Sequence, residues 1–183
     1  SGQVDSTITI DWGSSPGTYN LSVIATKEAP CSQSAAAVDL DITVVDVIES
    51  AQSGNWNNSG TWVGGQVPTT GNNVVIKNGH TVNLNVTRTI DNLTVEGGAT
   101  LVLNNDRSLT IEGDFLLNGD LICNENSNNT DRLFMTGADA ELDGTGTADF
   151  PDEGRFLINA NITVAASANL TFSATNDENN FFR

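Results

Sequence analysis

Short stretches in which apolar and polar residues alternate recur between residues 74 and 172, and this recurrence limits the possible folds more than any other feature. The plainest copies are 75–82, 94–101 and 163–170, the motif Leu93-Thr-Val-Glu-Gly97 returns as Leu109-Thr-Ile-Glu-Gly113, and looser echoes begin at Leu133 and Phe156. An irregular period of roughly twenty residues, built of short strands without a helical pattern, is typical of the turns of a β-solenoid. The sequence therefore predicts an all-β protein.

The spacing of apolar residues within one copy indicates strands with one buried face. Leu93 and Val95 are two residues apart, as are Leu101 and Leu103 after the next corner, and side chains two apart share one face of a strand. A turn of two or three such strands cannot cover its own inner face, so successive turns must stack at about 4.8 Å, the spacing between hydrogen-bonded strands. We therefore predict that residues 74–183 form a parallel β-helix.

Glycine and asparagine mark the predicted corners, where they allow tight or left-handed backbone and where asparagine can also hydrogen-bond to its stacked neighbour. These residues are Gly97, Gly98, Gly113, Gly119, Gly137, Gly144 and Gly146, together with Asn104, Asn105, Asn118, Asn124, Asn126, Asn128 and Asn129. A β-sandwich is the alternative, because its strands also alternate and Asn78-Gly79 and Asn118-Gly119 suit its hairpins. The recurring Leu-Thr-(Val/Ile)-Glu-Gly motif favours the solenoid, since a sandwich does not require it.

The first 48 residues carry a different pattern of three alternating runs. The runs contain Ile8, Ile10 and Trp12, then Tyr19, Leu21 and Val23, then Val38, Leu40, Ile42 and Val44. Three strands suit an Ig-like or PKD-like sandwich but are too few to complete one. We interpret 1–48 as the C-terminal part of such a domain, whose remaining strands lie upstream or whose apolar face docks on the solenoid. Cys31 would then pair most naturally with an upstream cysteine; the alternatives are a free thiol or a disulfide to Cys123.

Residues 49–73 form a predicted linker and N-terminal cap between these two patterns, and they contain Trp56 and Trp62 among glycines and asparagines. Two aromatic rings can stack on a sugar, and they can equally plug the open apolar end that any solenoid must protect. We favour the cap, because large aromatic side chains contribute mostly buried area. The predicted division is therefore 1–48, 49–73 and 74–183, with the β-helix open at its C-terminal end.

The acidic composition limits the partners of the chain. Its formal net charge is -16, from 23 acidic and 7 basic residues, and such a field opposes binding to nucleic acid or to an anionic membrane. No apolar run reaches the roughly 18 residues of a spanning helix, so we expect no membrane insertion. The chain starts without Met or a leader, so we expect it to be a segment of a longer protein. Abundant Thr, Asn, Ser and Gly with few cysteines fits an extracellular bacterial product.

Two groups of residues resemble known modules. The series Gly54-x-Trp56, Thr61-Trp62-x-Gly64-Gly65, Val67-Pro68 and Val74-Val-Ile-x-x-Gly79-His80-Thr-Val82 is similar to the opening of the right-handed parallel β-helix domain named for its eight glycines, found in large cell-surface proteins of Bacteroidota. The residues Gly17-Thr-Tyr19-x-Leu-x-Val23, Cys31 and Ile42-x-Val44 resemble the last strands of the PKD- or Ig-like repeats of gliding-motility adhesins and other type IX secretion cargo. These resemblances imply a right-handed helix, secretion to the cell surface and adhesion, with no catalytic residues to carry over.

The titratable residues are the candidates for chemistry in this chain. His80 is the only histidine, which excludes a two-histidine metal site, and we expect it to be a structural corner residue. Polysaccharide lyases and pectin hydrolases are also parallel β-helices, and they need gathered carboxylates, often with Ca²⁺ and a basic residue. The acids that could gather are Asp114, Asp120, Asp139, Glu141, Asp143, Asp149, Asp152 and Glu153, while Arg107, Arg132 and Arg155 fit a coil edge where they pair with acids.

The segment from Asp143 to Asp149 superficially resembles a calcium loop. It lacks the ligand spacing of an EF-hand and does not repeat as nonapeptide calcium loops do. We therefore expect no metal and no cofactor, with Ca²⁺ at this segment as the alternative that stays open.

The function predicted from these patterns is structural and adhesive. We expect a stalk or display segment of a large extracellular bacterial surface protein, not an enzyme, whose partners are other segments of that protein and surface glycans or proteins. The alternative is a carbohydrate-binding or polysaccharide-degrading β-helix, which needs Trp56 and Trp62 exposed side by side. Phe181 and Phe182 are expected to begin a further turn, so that the isolated chain self-associates or frays there unless something covers the strand edges.

Overall fold

The computed structural model describes residues 17–23, 38–44, 46–104, 106–123, 132–150 and 155–174. The chain divides into two compact units, Ser1–Asp46 and Val47–Arg183. In the described part of the chain the helical segments are two three-residue 3-10 turns, Ser59–Thr61 and Val63–Gly65. All other regular structure is β, so the predicted all-β class is confirmed.

The described part of the first unit is an antiparallel pair of strands, β1 (Gly17–Val23) and β2 (Val38–Val44). Their register runs from Gly17 opposite Val44 to Val23 opposite Val38. These strands lie within two of the three runs predicted there, while residues 8–12 and Cys31 lie outside the described residues. One strand pair does not define an Ig- or PKD-like sandwich, so that identity stays a prediction.

The second unit is a solenoid of short strands that starts with β3 (Val47–Glu49) and β4 (Gly54–Asn55). Its further strands are β5 (Asn73–Ile76), β6 (Thr81–Leu84), β7 (Arg88–Ile90), β8 (Leu93–Val95), β9 (Thr100–Leu103), β10 (Ser108–Ile111), β11 (Phe115–Leu117), β12 (Asp120–Cys123), β13 (Arg132–Met135), β14 (Glu141–Asp143), β15 (Thr147–Phe150), β16 (Arg155–Ile158), β17 (Thr163–Val164) and β18 (Thr171–Ala174).

These strands form three parallel sheets. From β5 onward, each sheet takes every third strand along the chain. The sheet orders are β17-β14-β11-β8-β5-β3, β18-β15-β12-β9-β6-β4 and β16-β13-β10-β7. Within the described ranges, four successive turns supply a strand to all three sheets, and the turns before and after them, β3–β4 and β17–β18, supply strands to two. The predicted parallel β-helix is thereby confirmed, and its right-handed sense stays an implication of the resemblance.

One continuous apolar core runs along the inside of the solenoid. The stacked inward residues are Val74, Leu93, Phe115 and Leu142 on the first sheet, Val82, Leu101, Leu121 and Ala148 on the second, and Leu109, Leu133 and Phe156 on the third. All of them are buried, and a fully buried leucine contributes about 1.5–3 kcal/mol relative to an exposed one. Each turn is therefore stabilised mainly by its neighbours.

The two copies of the Leu-Thr-(Val/Ile)-Glu-Gly motif do not stack on each other. Leu93 lies in β8 and pairs with Phe115 of the next turn, whereas Leu109 lies in β10 and pairs with Leu133. The copies therefore occupy two faces of one turn, because every face of the solenoid requires the same inward alternation. The copies at 75–82 and 94–101 do stack, with Val82 beside Leu101.

Polar side chains form a ladder along one corner. Asn92 Nδ2 donates to Asn73 Oδ1 at 2.5 Å, Asp114 N donates to Asn92 Oδ1 at 2.5 Å, and Glu141 N donates to Asp114 Oδ1 at 2.8 Å. Asn118, one of the asparagines predicted to stack, accepts a hydrogen bond from the next turn at 3.2 Å. Asn105 and residues 124–131 lie outside the described residues. Among the described residues, hydrogen bonds that join asparagine side chains to a neighbouring turn are therefore made by Asn118 and also by Asn73 and Asn92, which are not among the predicted positions.

Glycine is required at the corners for two different reasons. Gly144 has a φ of 128°, which side-chain-bearing residues rarely adopt, and a Cβ there would overlap the carbonyl oxygen of Leu117 one turn earlier. Gly119 has no positive φ, but a Cβ there would also overlap carbonyl oxygens of the preceding turn. In the described part of the chain, the non-glycine residues with positive φ are aspartates, Asp106 and Asp139.

Candidate functional site

The first turn of the solenoid holds the two tryptophans singled out in the sequence. The side chain of Trp56 is fully buried, and Trp62 is 2% exposed. Their ring centroids lie 5.0 Å apart with an interplanar angle of 69°, an edge-to-face contact. Neither ring presents a face to solvent on which a sugar could stack.

Both indole N–H groups are hydrogen-bonded within this region. Trp56 Nε1 donates to the carbonyl oxygen of Pro68 at 3.2 Å, and Trp62 Nε1 donates to that of Trp56 at 2.7 Å. Buried Thr61 donates its hydroxyl to the carbonyl oxygen of Asn55 at 2.9 Å. Since an unsatisfied buried polar group costs about 1–3 kcal/mol, this network allows two large rings to be buried in a turn that supplies only two strands. The geometry supports the interpretation of the rings as a cap.

His80 lies at the corner before β6 and connects the second turn to the first. Its Nδ1 is 2.8 Å from Ser50 Oγ, and the same oxygen accepts a hydrogen bond from Lys77 N at 2.9 Å. Ser50 can therefore donate its own proton to Nδ1, which corresponds to the tautomer with the histidine proton on Nε2. Ser50 is only 2% exposed, so its hydroxyl faces the protein interior.

Lys77 links three successive turns through ionic contacts. Its Nζ lies 2.5 Å from Glu96 Oε1 and 3.5 Å from Glu49 Oε1, and Glu96 Oε2 accepts a hydrogen bond from Asn78 N at 2.9 Å. The hydrogen bond from Lys77, followed by that from Asn78, lowers the pKa of Glu96. The hydrogen bond to Glu96 raises the pKa of Lys77 against the smaller opposing effect of desolvation. Both side chains are about one third exposed, so water screens the pair and its contribution to stability is small.

Three of the predicted acidic residues come together at one shallow cavity. Asp114, Glu141 and Asp143 contribute to the lining of its volume of about 180 Å³. Asp114 Oδ1 accepts a hydrogen bond from Glu141 N at 2.8 Å, and Asp143 Oδ1 accepts one from Gly144 N at 2.7 Å. In the described ranges, no three His, Cys, Asp or Glu side chains are grouped to hold a metal ion. The carboxylates of Asp114 and Asp143 thus accept hydrogen bonds from the corner backbone, and Ca²⁺ binding stays an untested alternative.

Two further predicted acids hydrogen-bond to hydroxyl groups of the next turn. Asp120 Oδ1 accepts from Thr147 Oγ1 at 2.5 Å, and Asp149 Oδ1 accepts from Ser173 Oγ at 2.6 Å. Asp152 and Glu153 lie outside the described residues. Among the described acids, Asp114, Glu141 and Asp143 therefore share one cavity, whereas Asp120 and Asp149 contact hydroxyl groups elsewhere on the solenoid.

The three arginines that begin apolar runs lie at the starts of strands of the third sheet, with Arg107 one residue before β10. Arg132 N donates to the carbonyl oxygen of Arg107 at 3.3 Å, and Arg132 is in register with Arg155 on the following strand. Arg132 and Arg155 thus share one position on the third sheet, whereas Arg107 is offset by one residue, because Ser108 is the residue in register with Arg132. The pairing of the three arginines with acidic side chains stays a prediction.

The last turn borders an apolar hollow of about 420 Å³. Its lining residues are Leu142, Ile158, Val164, Ala168, Leu170 and Phe172. Phe172 stacks on Phe156 with centroids 6.0 Å apart, and Phe156 stacks on Phe150 at 6.4 Å. Most of the residues that line the hollow belong to the apolar core or pack against it. Phe181 and Phe182, expected to begin another turn, lie outside the described residues.

The cysteines do not add a described site. Cys123 is fully buried at the end of β12 and belongs to the apolar core. Cys31 lies outside the described residues, so its predicted pairing stays open.

Arg88 is a residue that the sequence reasoning missed. It is in register with buried Leu109, at a position where the later strands of the third sheet place apolar side chains toward the core. The available signal was a charged residue two positions before apolar Ile90, inside an otherwise regular alternation. The Ser50–His80 contact had no such signal, because it joins residues 30 positions apart.

In the part of the chain that the structure describes, no helix has both the length and the hydropathy needed to cross a bilayer.

Comparisons with known proteins identify a family for the chain. No curated protein and no solved structure matches the chain. The family profile described as the G8 domain matches residues 61–180, and this domain is typical of extracellular proteins. The match spans more than half of the 183 residues of the chain. The chain therefore belongs to the G8 domain family.

Proposed function

We propose that the chain is a structural and adhesive module of an extracellular bacterial surface protein, in which the solenoid serves as a stalk or display surface. The observation that carries the proposal is the stacking itself, since successive complete turns are joined through three parallel sheets around one apolar core. Membership of the G8 family is consistent with such a module.

Stacked turns suit this role for a physical reason. Inward positions hold the turns together, so the outward side chains between them contribute little to the core and can vary for binding. Thr94 and Thr110 are such positions, each between two buried apolar residues of its strand. A net charge of -16 also opposes self-association of the displayed surface.

A finer proposal concerns the parent protein. We infer an adhesin of a gliding member of Bacteroidota, exported by type IX secretion, with a PKD- or Ig-like repeat before a right-handed β-helix. Support comes from the resemblance of residues 54–82 and from the antiparallel pair β1–β2. The parent gene tests it: a signal peptide and a C-terminal type IX sorting domain are expected. A parent that is retained in the cytosol would contradict the proposal.

The proposed partners are other segments of the same protein together with surface glycans or proteins. We propose no catalytic activity, no cofactor, and no binding to nucleic acid or insertion into membrane. The charge supports the last two points, because a strongly acidic surface repels phosphate-bearing polymers and lipids.

Adhesion can be tested with beads that carry the chain, by measuring their retention under flow on surfaces coated with polysaccharides or with cell-envelope proteins. Beads carrying Leu121→Asp are the matched control, because an aspartate at this fully buried position of β12 disrupts the middle of the solenoid. Retention on at least one surface that is lost with the control supports adhesion. Equal retention of both bead types on every surface would show that the folded solenoid does not adhere.

A further inference from the structure

A polar cavity of about 330 Å³ lies beside β7. The lining residues are Thr69, Thr70, Thr87, Arg88 and Thr89. Because β7 is the terminal strand of the third sheet, the first turn has no strand on this side. The cavity therefore lies where the solenoid is incomplete, between the strand edge and the segment that leads from the first turn to the second.

The position of Arg88 is unusual for a charged residue. The residues that follow it in register, Leu109, Leu133 and Phe156, are all fully buried. Arg88 thus begins a row of inward-facing residues that are otherwise apolar. Partial removal of its guanidinium from water costs free energy unless its N–H donors find acceptors. Acceptors for the N–H groups of Arg88 would therefore stabilise the fold.

The acceptors given by the protein are few. Arg88 Nε is buried without a hydrogen-bond partner, and Nη1 donates only to the carbonyl oxygen of Thr87 at 3.3 Å. None of the lining residues carries a carboxylate. Among the residues that the structure describes, Arg88 also forms no ion pair, although the chain contains 23 acidic residues.

We propose that this cavity binds a carboxylate group. A guanidinium presents its donors as a planar fork, and a carboxylate matches that fork with two parallel hydrogen bonds, here from the two terminal nitrogens of Arg88, since Nε is buried from solvent. Thr87 Oγ1 accepts a hydrogen bond from Ser108 N at 3.3 Å, which leaves its proton for a ligand oxygen. This inference is independent of the adhesive function.

The volume and the charge of the protein set the character of binding. A cavity of 330 Å³ is at the small end of ligand pockets, which favours a carboxylate on a small ligand or a single unit of a larger one. The net charge of -16 repels anions at a distance, so the affinity depends on the short contacts at Arg88. Weak, millimolar binding of a minimal ligand is therefore expected.

Titration of the full chain with sodium acetate, followed by ¹⁵N NMR, tests the proposal. Sodium chloride at equal ionic strength and neutral, planar acetamide are the matched solutes. We expect acetate alone to shift the Arg88 Nε–Hε signal and the amide signals of Thr87 and Thr89 in a saturable way. Acetamide shifting the same signals to the same extent would overturn the proposal.

Three variants assign the effect to the cavity. Arg88→Ala should abolish saturation, and Arg88→Lys should weaken it about tenfold, because a lysine is a point charge without the fork. Arg132→Ala should bind acetate normally, since Arg132 Nε is also buried without a partner but does not line this cavity. Equal loss in Arg88→Ala and Arg132→Ala would contradict the assignment. If Arg88→Ala loses the dispersed spectrum of the fold, a folded Arg88→Lys variant with undiminished affinity would overturn the proposal.

Discussion

The first turn of the solenoid and the last turn that the structure describes differ in how their apolar side chains are buried. Each supplies strands to two of the three sheets. In the first turn, Trp56 and Trp62 are buried with their indole nitrogens hydrogen-bonded. In the last, Val164 is 60% exposed and Phe172 is half-buried beside an apolar hollow of about 420 Å³.

This difference shows that closing a solenoid requires more than apolar side chains. An end exposes a cross-section of the core together with strand edges. The two aromatic rings of the first turn are buried, and their indole N–H groups find acceptors within residues 56–68. The apolar residues of the last turn instead present a surface that further apolar side chains can cover.

The largest expected effect comes from removing one ring of the cap. Trp56→Ala should reduce the free energy of unfolding by about 3–5 kcal/mol, because it leaves a large cavity in the first turn. Phe172→Ala in the last turn should cost about 1–2 kcal/mol, since that side chain is only half-buried. Urea denaturation followed by circular dichroism measures both. Trp56→Phe is the control that keeps a ring, and equal losses for the two alanine variants would remove the distinction between the ends.

The next effect compares two glycines with positive φ. Gly144→Ala should cost about 3 kcal/mol, because the new methyl group would overlap the carbonyl oxygen of Leu117 in addition to the strained backbone. Gly64→Ala, in the first turn, should cost about 1 kcal/mol, since its φ is 70° but nothing lies within 4 Å of a new Cβ. Differential scanning calorimetry gives the two melting temperatures. A larger decrease for Gly64→Ala would contradict the stacking contact at Gly144.

A smaller effect is expected at the hydrogen bonds between the first and second turns. Ser50→Ala should cost about 2 kcal/mol, because it leaves the partly buried amide of Lys77 and Nδ1 of His80 without the hydroxyl of buried Ser50. Ser53→Ala is the matched control: Ser53 Oγ accepts from Thr81 N at 2.8 Å in an exposed position, where water can replace it. Urea denaturation gives the losses, and amide exchange of Lys77 locates the opening. Equal losses would show that burial of Ser50 does not matter.

The smallest effect concerns the ionic link at Lys77. Because the folded pKa of Glu96 is lowered, its stabilising contribution is present above the ordinary glutamate pKa of about 4.3 and is lost as pH falls through the lower folded value. The pKa of Lys77 is raised, so its contribution is lost only as pH rises above 10.5.

Lys77→Met should therefore raise the pKa of Glu96, as measured by ¹³C NMR, and its small decrease in melting temperature should vanish in acid. Glu112, the exposed residue at the same position of the second motif copy, is the control. An unchanged Glu96 pKa in Lys77→Met would exclude the ion pair as the cause of the shift.

The sequence by itself determined the inward faces of the strands and the solenoid class. Alternation such as Leu93 and Val95 is local, since side chains two apart share a face whatever the strand pairs with. Such strands recur between glycine-rich corners. Each turn can bury its inner face only by stacking on its neighbours, so the recurrence required stacking. The tryptophans were also located at one end, although stacking on a sugar and capping were both compatible with their sequence context.

Only the tertiary structure decided which strands stack and which way particular side chains point. The three inner faces require the same residue types, so sequence similarity could not tell that Leu93 and Leu109 belong to two faces of one turn. The burial of Trp56 depends on an acceptor at Pro68, and the burial of Ser50 brings it to His80, so both are set by contacts between distant residues. Arg88 shows the same limit of the sequence. Its inward position in β7 matters because the first turn has no strand beside it, and the sequence alone does not show that gap.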